Sequence, residues 1–194
     1  QEFTTPGSLA KEKLVHAASL YPREWAEAEF KLAQTYEEKG IWKEAEAMLD
    51  EALKHYQQSH ITQSYGLMRV WYEKGKLAQR RADDQAALQY FMEAEKATHE
   101  HMGLSSHEKL DLWIQQSLCC KGLHQFDFAM RLLSRVINDD VISPLRIKAM
   151  FLRAEIYELQ GRPELAIKQL EATAHKGGEW AQKAQEKLEH VYGY

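Results

Sequence analysis

Helix breakers are scarce, with 4 prolines and 10 glycines in 194 residues, so long stretches are left free to form helices. Cysteine is scarcer still. Cys119 and Cys120 are the only two, and neighbours in the chain fit disulfide geometry badly. They read as free thiols, which points to a reducing compartment. No run reaches the roughly 18 apolar residues of a membrane span, and no apolar core of a signal peptide stands at the front. The net charge of −4 provides no global attraction to DNA or to an anionic membrane. These absences exclude membrane insertion and nucleic-acid binding as first expectations. They favour a cytoplasmic setting, with the periplasm as the alternative if the front of the chain has been processed.

What is present suits a packed domain: 44% hydrophobic and 28% charged residues rule out wholesale disorder. Residues 1–8 are polar and rich in breakers, and read as a linker or expression scar ahead of a single domain over 9–194. Within it a repeat is visible. Ala45, Ala87, Ala129 and Ala166 recur at spacings of 42, 42 and 37 residues. Twelve residues before each stands a small residue: Ala33, Gly75, Ser117 and Ala154. Four residues after each comes a large apolar one, Leu49, Phe91, Leu133 and Leu170, and seven after a compact one, Ala52, Ala94, Val136 and Thr173. Two antiparallel helices approach closely only where the facing side chains are small, and the large residue one turn on fills the space beside that contact. Turn signals at Lys39-Gly40, Ala82-Asp83-Asp84, Gly122-Leu123-His124 and Gly161-Arg162-Pro163 separate the paired helices. Pro163 fits the first turn of its helix.

These columns resemble the tetratricopeptide repeat pattern. They read Leu32-Ala33-x2-Tyr36…Ala45-x3-Leu49, Trp71-x3-Gly75…Ala87-x3-Phe91, Trp113-x3-Ser117…Ala129-x3-Leu133 and Met150-x3-Ala154-x2-Tyr157…Ala166-x3-Leu170. The resemblance spans about residues 9–192. Glu29 stands where the first copy should have Trp, and Ala78 and Cys120 stand for Tyr. The closing proline is missing, and the 42-residue period exceeds the usual 34, which implies helices longer by about a turn each. Long-period repeats of this kind occur in kinesin light chain and in several bacterial regulatory proteins. The resemblance implies an all-α, right-handed solenoid of about four helix pairs with flanking caps. A helix over 9–21 comes first, then repeats at about 24–58, 62–101, 106–140 and 144–176, and a closing helix over 178–192. In the first helix Ala10, Leu14, Ala17 and Leu20 match the second helix of a preceding repeat, so the array opens in mid-repeat. Trp180, Ala184, Leu188 and Val191 give the last helix its apolar face.

Reactive chemistry finds little support. His99-Glu100-His101 and His107 lack metal-ligand spacing and read as solvated loop histidines. Cys119 and Cys120 have no adjacent base or stabilising charge and read as small buried hydrophobes. Trp71 and Trp113 belong to the packing register, and basic residues are too dispersed for a phosphate-tracking groove. No phosphate loop, nucleophile elbow or His-Glu-x-x-His is present. The expectation is a protein without cofactor, metal or catalytic residue.

Within the resembled family the first helix of each pair lines a concave surface that receives peptides. On the second such helix Arg69, Tyr72, Lys76 and Arg80 are spaced to share a face. Lys31 and Gln34 would flank it on one side, Gln115 and Lys121 on the other. A basic stripe carrying an aromatic suits an acidic peptide or a terminal carboxylate, and an ordinary solvated helix face is the alternative. The asparagine-containing carboxylate clamp of chaperone-binding relatives is absent. The expected function is a scaffold or adaptor holding a partner's peptide or helix. A peptide-sensing regulatory module, a secretion-chaperone-like protein and an enzyme accessory domain remain the alternatives, and exposed array ends would permit self-association. If the register is right, Ala87→Leu lowers stability by about 1–3 kcal/mol through overpacking, read as a drop in melting temperature.

Overall fold

Each helix begins and ends where local chemistry dictates. The computed structural model describes residues 6–99, 101 and 103–194, with side chains from Ala10 onward. The described residues form ten helices and no strand. They are α1 Pro6–Leu20, α2 Pro22–Glu38, α3 Trp42–Gln58, α4 Tyr65–Arg80, α5 Asp84–Lys96, α6 Ser106–Gly122, α7 Phe126–Ile137, α8 Pro144–Leu159, α9 Pro163–Ala174 and α10 Glu179–Tyr192. Pro22, Pro144 and Pro163 open α2, α8 and α9, where a missing N–H costs nothing. Serines cap three first helices. Ser64 accepts from Leu67 N–H, Ser143 from Leu145 N–H, and Ser105 forms a full capping box with Glu108, satisfying N–H groups the helix cannot.

The turns inside the four pairs are copies of one another. Gly40, Ala82, His124 and Gly161 all adopt left-handed backbone, with φ of 71°, 55°, 58° and 69°. Each donates its N–H back three residues, and the next residue donates back five, as in Gly40 to Glu37 and Ile41 to Tyr36. This closes the helix by a Schellman motif. The turn residues repeat at the same 42, 42 and 37 spacing as the alanines, so the two markers share one register.

Helices pack in chain order: α2 on α3, α4 on α5, α6 on α7, α8 on α9, with α10 closing against α9 and α8. The fold is an all-α solenoid. Ala33, Ala45, Ala87, Ala129, Ala154 and Ala166 are fully buried, Ser117 is 1% exposed and Gly75 is buried. The large column, Leu49, Phe91, Leu133 and Leu170, is also fully buried. A Cβ at Gly75 would stand 2.6 Å from the Phe91 ring, which is why the second copy has glycine there. Among the described residues, no helix is long and apolar enough to cross a membrane.

Three expectations change. The long period does not lengthen every helix by a turn. The first helices have 16 or 17 residues and α3 has 17, but α5 has 13 and α7 and α9 have 12. In the second copy the remaining length lies in the connection 97–105. The segment set aside as a linker contains the start of α1 at Pro6, while its residues 1–5 lie outside the described residues. Finally, α1 does not bury the stripe read from its sequence. Ala18 is 8% exposed, but Leu14 and Leu20 are 55% and 59% exposed. The helix leans mainly on α2 and α3, and Leu14, Val15 and Leu20 stay exposed.

Of the four left-handed turn positions, Ala82 and His124 carry a Cβ that this backbone disfavours. Replacing Ala82→Gly therefore stabilises the chain by about 0.5–1 kcal/mol, measured as a shift in the urea midpoint with unchanged slope. Gly161→Ala shifts it the other way.

Candidate groove on the first helices

The face predicted on α4 divides once the neighbouring helices are in place. Arg69 is half-buried, its guanidinium 4.3 Å from the Phe30 ring centre and 5.6 Å from that of Tyr65. Tyr72 is half-buried and donates to Asp111 Oδ2 at 2.5 Å. Lys76 is exposed and forms no ion pair among the described residues. Arg80 lies 3.6 Å from the Trp42 ring centre, turned toward the start of α3. Lys31 is exposed and Gln34 half-buried on α2.

On α6 the expectation of an open ligand-facing pair is corrected. Gln115 is only 6% exposed. It donates to Asp111 Oδ1 at 3.2 Å and accepts from Gln79 Nε2 at 3.0 Å. Lys121 is paired with Glu155 at 2.9 Å. Both side chains tie one repeat to the next. Sequence spacing reports which residues share a face, but not which are already engaged by the adjacent helix.

Two clefts flank Arg69. One, of about 230 Å³, lies between α4 and α6 and is lined by Tyr65, Tyr72, Glu73, His107, Glu108 and Asp111 among others. The other, of about 320 Å³, lies between α2, the end of α3 and the start of α4, and includes Arg23, Lys31, Tyr56, Ser64 and Gly66. Tyr65 and Arg69 border both, so the clefts adjoin along these two side chains across the first helices. Tyr65 donates to Glu108 Oε1 at 2.5 Å and, with Tyr72, fastens the wall of the first cleft.

The basic stripe is not purely basic. Glu37 of α2 and Glu73 of α4 meet beside it. Burial, then the charge of Glu73 and a hydrogen bond with it, pushes the Glu37 carboxyl up to about 7. Glu37 Oε1 is buried with no hydrogen-bond partner among the described residues, so nothing at that atom offsets the loss of water around the charge. Burial also raises Glu73, although Lys76 and Arg69 pull it down. Neither glutamate was expected at the site, because no spacing rule pairs residues on helices that are not consecutive.

The histidine cluster also changes its reading. His101 is not a solvated loop residue. Its Nε2 lies 2.9 Å from Glu95 Oε1, and its ring meets Trp113 edge-on at 5.3 Å. Gln116 and Trp113 donate to the same carboxylate at 2.7 Å and 3.2 Å. Burial opposes the Glu95 charge, but these three bonds outweigh it and hold the carboxyl below its usual range. His99 is exposed, His107 lines the first cleft, and Glu100 lies outside the described residues. Cys119 and Cys120 are buried, and burial, then nearby Asp84, pushes the Cys119 thiol up to about 12. A thiol so raised stays protonated and inert at neutral pH.

A family model described as the SusR N-terminal TPR domain matches residues 9–177. The chain belongs to that tetratricopeptide repeat family. Solved structures agree on the fold. MamA is 19% identical over 86% of this chain and 76% of its own, with a TM-score of 0.59. BtubC from P. vanneervenii is 12% identical over 88% of this chain and 66% of its own, at 0.70. The nearly identical TPR-like repeats of a kinesin light chain from Podosopora anserina are 17% identical over 88% of this chain and 86% of their own, at 0.68. No curated protein is similar enough in sequence to count as a relative. At these identities the likeness fixes the solenoid and leaves the ligand open.

The Glu37–Glu73 pair makes stability depend on pH. A folded carboxyl raised above its ordinary value favours the fold fully below about pH 4.5, and that contribution is lost as pH rises through about 7. Glu37→Gln keeps a hydrogen-bond donor to Glu73 without the charge conflict. The variant is expected to melt higher than the parent at pH 8, by an amount worth about 1–2 kcal/mol after allowance for screening, and to converge with it at pH 5.

Proposed function

We propose that the chain is a non-enzymatic scaffold or adaptor that holds a peptide or helix of another protein along its first helices. The observation that carries this reading is the two clefts that adjoin at Tyr65 and Arg69, with exposed Lys31 in the lining of one and exposed Lys76 further along α4. Clefts that adjoin from α2 to α6 suit an extended or helical segment better than a small molecule. The titratable groups that converge there are occupied with one another, Tyr72 with Asp111 and Tyr65 with Glu108, which supports a binding surface over a reactive centre. The partner segment is acidic in this reading, and it contacts α4 between Arg69 and Lys76.

The alternative is a peptide-sensing regulatory module within a longer protein. The description of its family as an N-terminal domain favours it. Self-association through the front end is a further proposal, supported by Leu14, Val15, Leu20 and Tyr21, each 55–63% exposed on or beside α1.

Reversing charge at Arg69 and Lys76 together is expected to reduce partner capture from a native lysate at least tenfold, about 1.4 kcal/mol or more. Helical circular dichroism should be unchanged. Undiminished capture would place the partner on another face.

A further inference from the structure

The cleft at the start of α4 holds donors that nothing in the fold uses. Tyr56, on α3, is 2% exposed, yet its hydroxyl forms no hydrogen bond among the described residues. The hydroxyl abuts Gly66, where any Cβ would collide with it, so the absence of a side chain at 66 keeps the phenol oxygen at the cleft floor. Burial raises the phenol above its ordinary range, so it remains a donor at all physiological pH. Tyr65 and Gly66 are the first two residues of α4, and their N–H groups have no acceptor within the helix. The N-terminal end of a 16-residue helix adds partial positive charge at the same place.

Arg69 completes the set. Its guanidinium carbon lies over the Phe30 ring, and no carboxylate lies within ion-pair distance of it among the described residues. The phenol, the helix N-terminus and the guanidinium all border one cleft, where their donors meet no acceptor of the fold. We propose that this cleft is a carboxylate-binding subsite, with Arg69, the Tyr56 hydroxyl and the N–H groups of Tyr65 and Gly66 as its donors. The subsite rests on the groove reading above, and it locates the anion at Arg69 instead of along the whole stripe.

Charge decides in favour of a carboxylate. The cleft is lined by Arg23, Lys31 and Arg69 against one acid, Glu27, and Glu27 is taken up by Arg23 at 3.5 Å. With that pair offset, Lys31 and Arg69 remain, and Arg69 also stabilises the charges of Glu73 and Glu108, so a singly charged anion matches what is left. A planar guanidinium also matches the two oxygens of a carboxylate. Both an acidic side chain and a free chain terminus present that group.

The test uses the full chain labelled with ¹⁵N and three synthetic hexapeptides. One is neutral with a free terminal carboxylate, one is capped at both ends with a single internal Glu, and one is neutral and capped at both ends. The Gly66 amide and the Arg69 Nε–H are expected to shift saturably with one or both carboxylate peptides and to ignore the third. The peptide that binds identifies the source of the anion. Tyr56→Phe, which keeps the packed ring, should weaken that binding about tenfold at an unchanged melting temperature, and Arg69→Gln should abolish saturation. An unmoved Gly66 amide with both carboxylates, or unchanged affinity in Tyr56→Phe, overturns the subsite. Shifts at Tyr72 and Asp111 without Gly66 would overturn it while the groove reading stands. Undiminished partner capture by the chain with reversed charge at Arg69 and Lys76, with the Gly66 response of the parent intact, would overturn the groove and leave the subsite.

Discussion

The whole array depends on how closely two antiparallel helices can approach. Every pair carries a buried small residue on each of its helices: Ala33 and Ala45, Gly75 and Ala87, Ser117 and Ala129, Ala154 and Ala166. Close approach lets the following large residue, Leu49, Phe91, Leu133 or Leu170, fill the wedge beside the contact without leaving a void. The left-handed turns at Gly40, Ala82, His124 and Gly161 reverse the chain at one fixed distance from that contact, so each pair is built to the same pitch. Stacking such pairs sets the first helices side by side in a row, the row on which the proposed groove lies.

Polar ties between successive pairs stiffen that face. Tyr65 and Tyr72 reach from α4 to Glu108 and Asp111, Lys121 reaches Glu155, and Glu158 receives Lys187 and Tyr192 from the closing helix. Each tie joins side chains 29 to 43 residues apart, and each withdraws a charged or phenolic group from the pool available to a ligand. What stays available is a short list concentrated at the α2–α4 junction. The Glu37–Glu73 pair at the other end of that junction works in the opposite sense, because two acids placed together make the same interface less stable as protons leave.

The repeat was legible because close packing leaves a periodic trace in composition. Small side chains at one spacing and large ones four residues later are required by helix geometry alone, whatever the partner. Two local features escaped that reading for physical reasons. Ala82 and His124 occupy left-handed positions where glycine would be expected, so residue type gave no sign of the turn conformation. Leu14 and Leu20 of α1 have the apolar spacing of a packed helix, but spacing cannot tell whether a neighbour is there to cover them.

The amino-acid sequence by itself determined the all-α class, the pairing of helices, the register of the contact residues and the buried state of the two cysteines, since all of these follow from periodicity along one chain. Only the tertiary structure decided which polar residues on the first helices are free. Gln115 and Lys121 are spent on neighbouring repeats, Glu37 meets Glu73, and Tyr56 from a second helix joins Arg69 from a first. These meetings are between residues on different helices, and no spacing within a single helix encodes them.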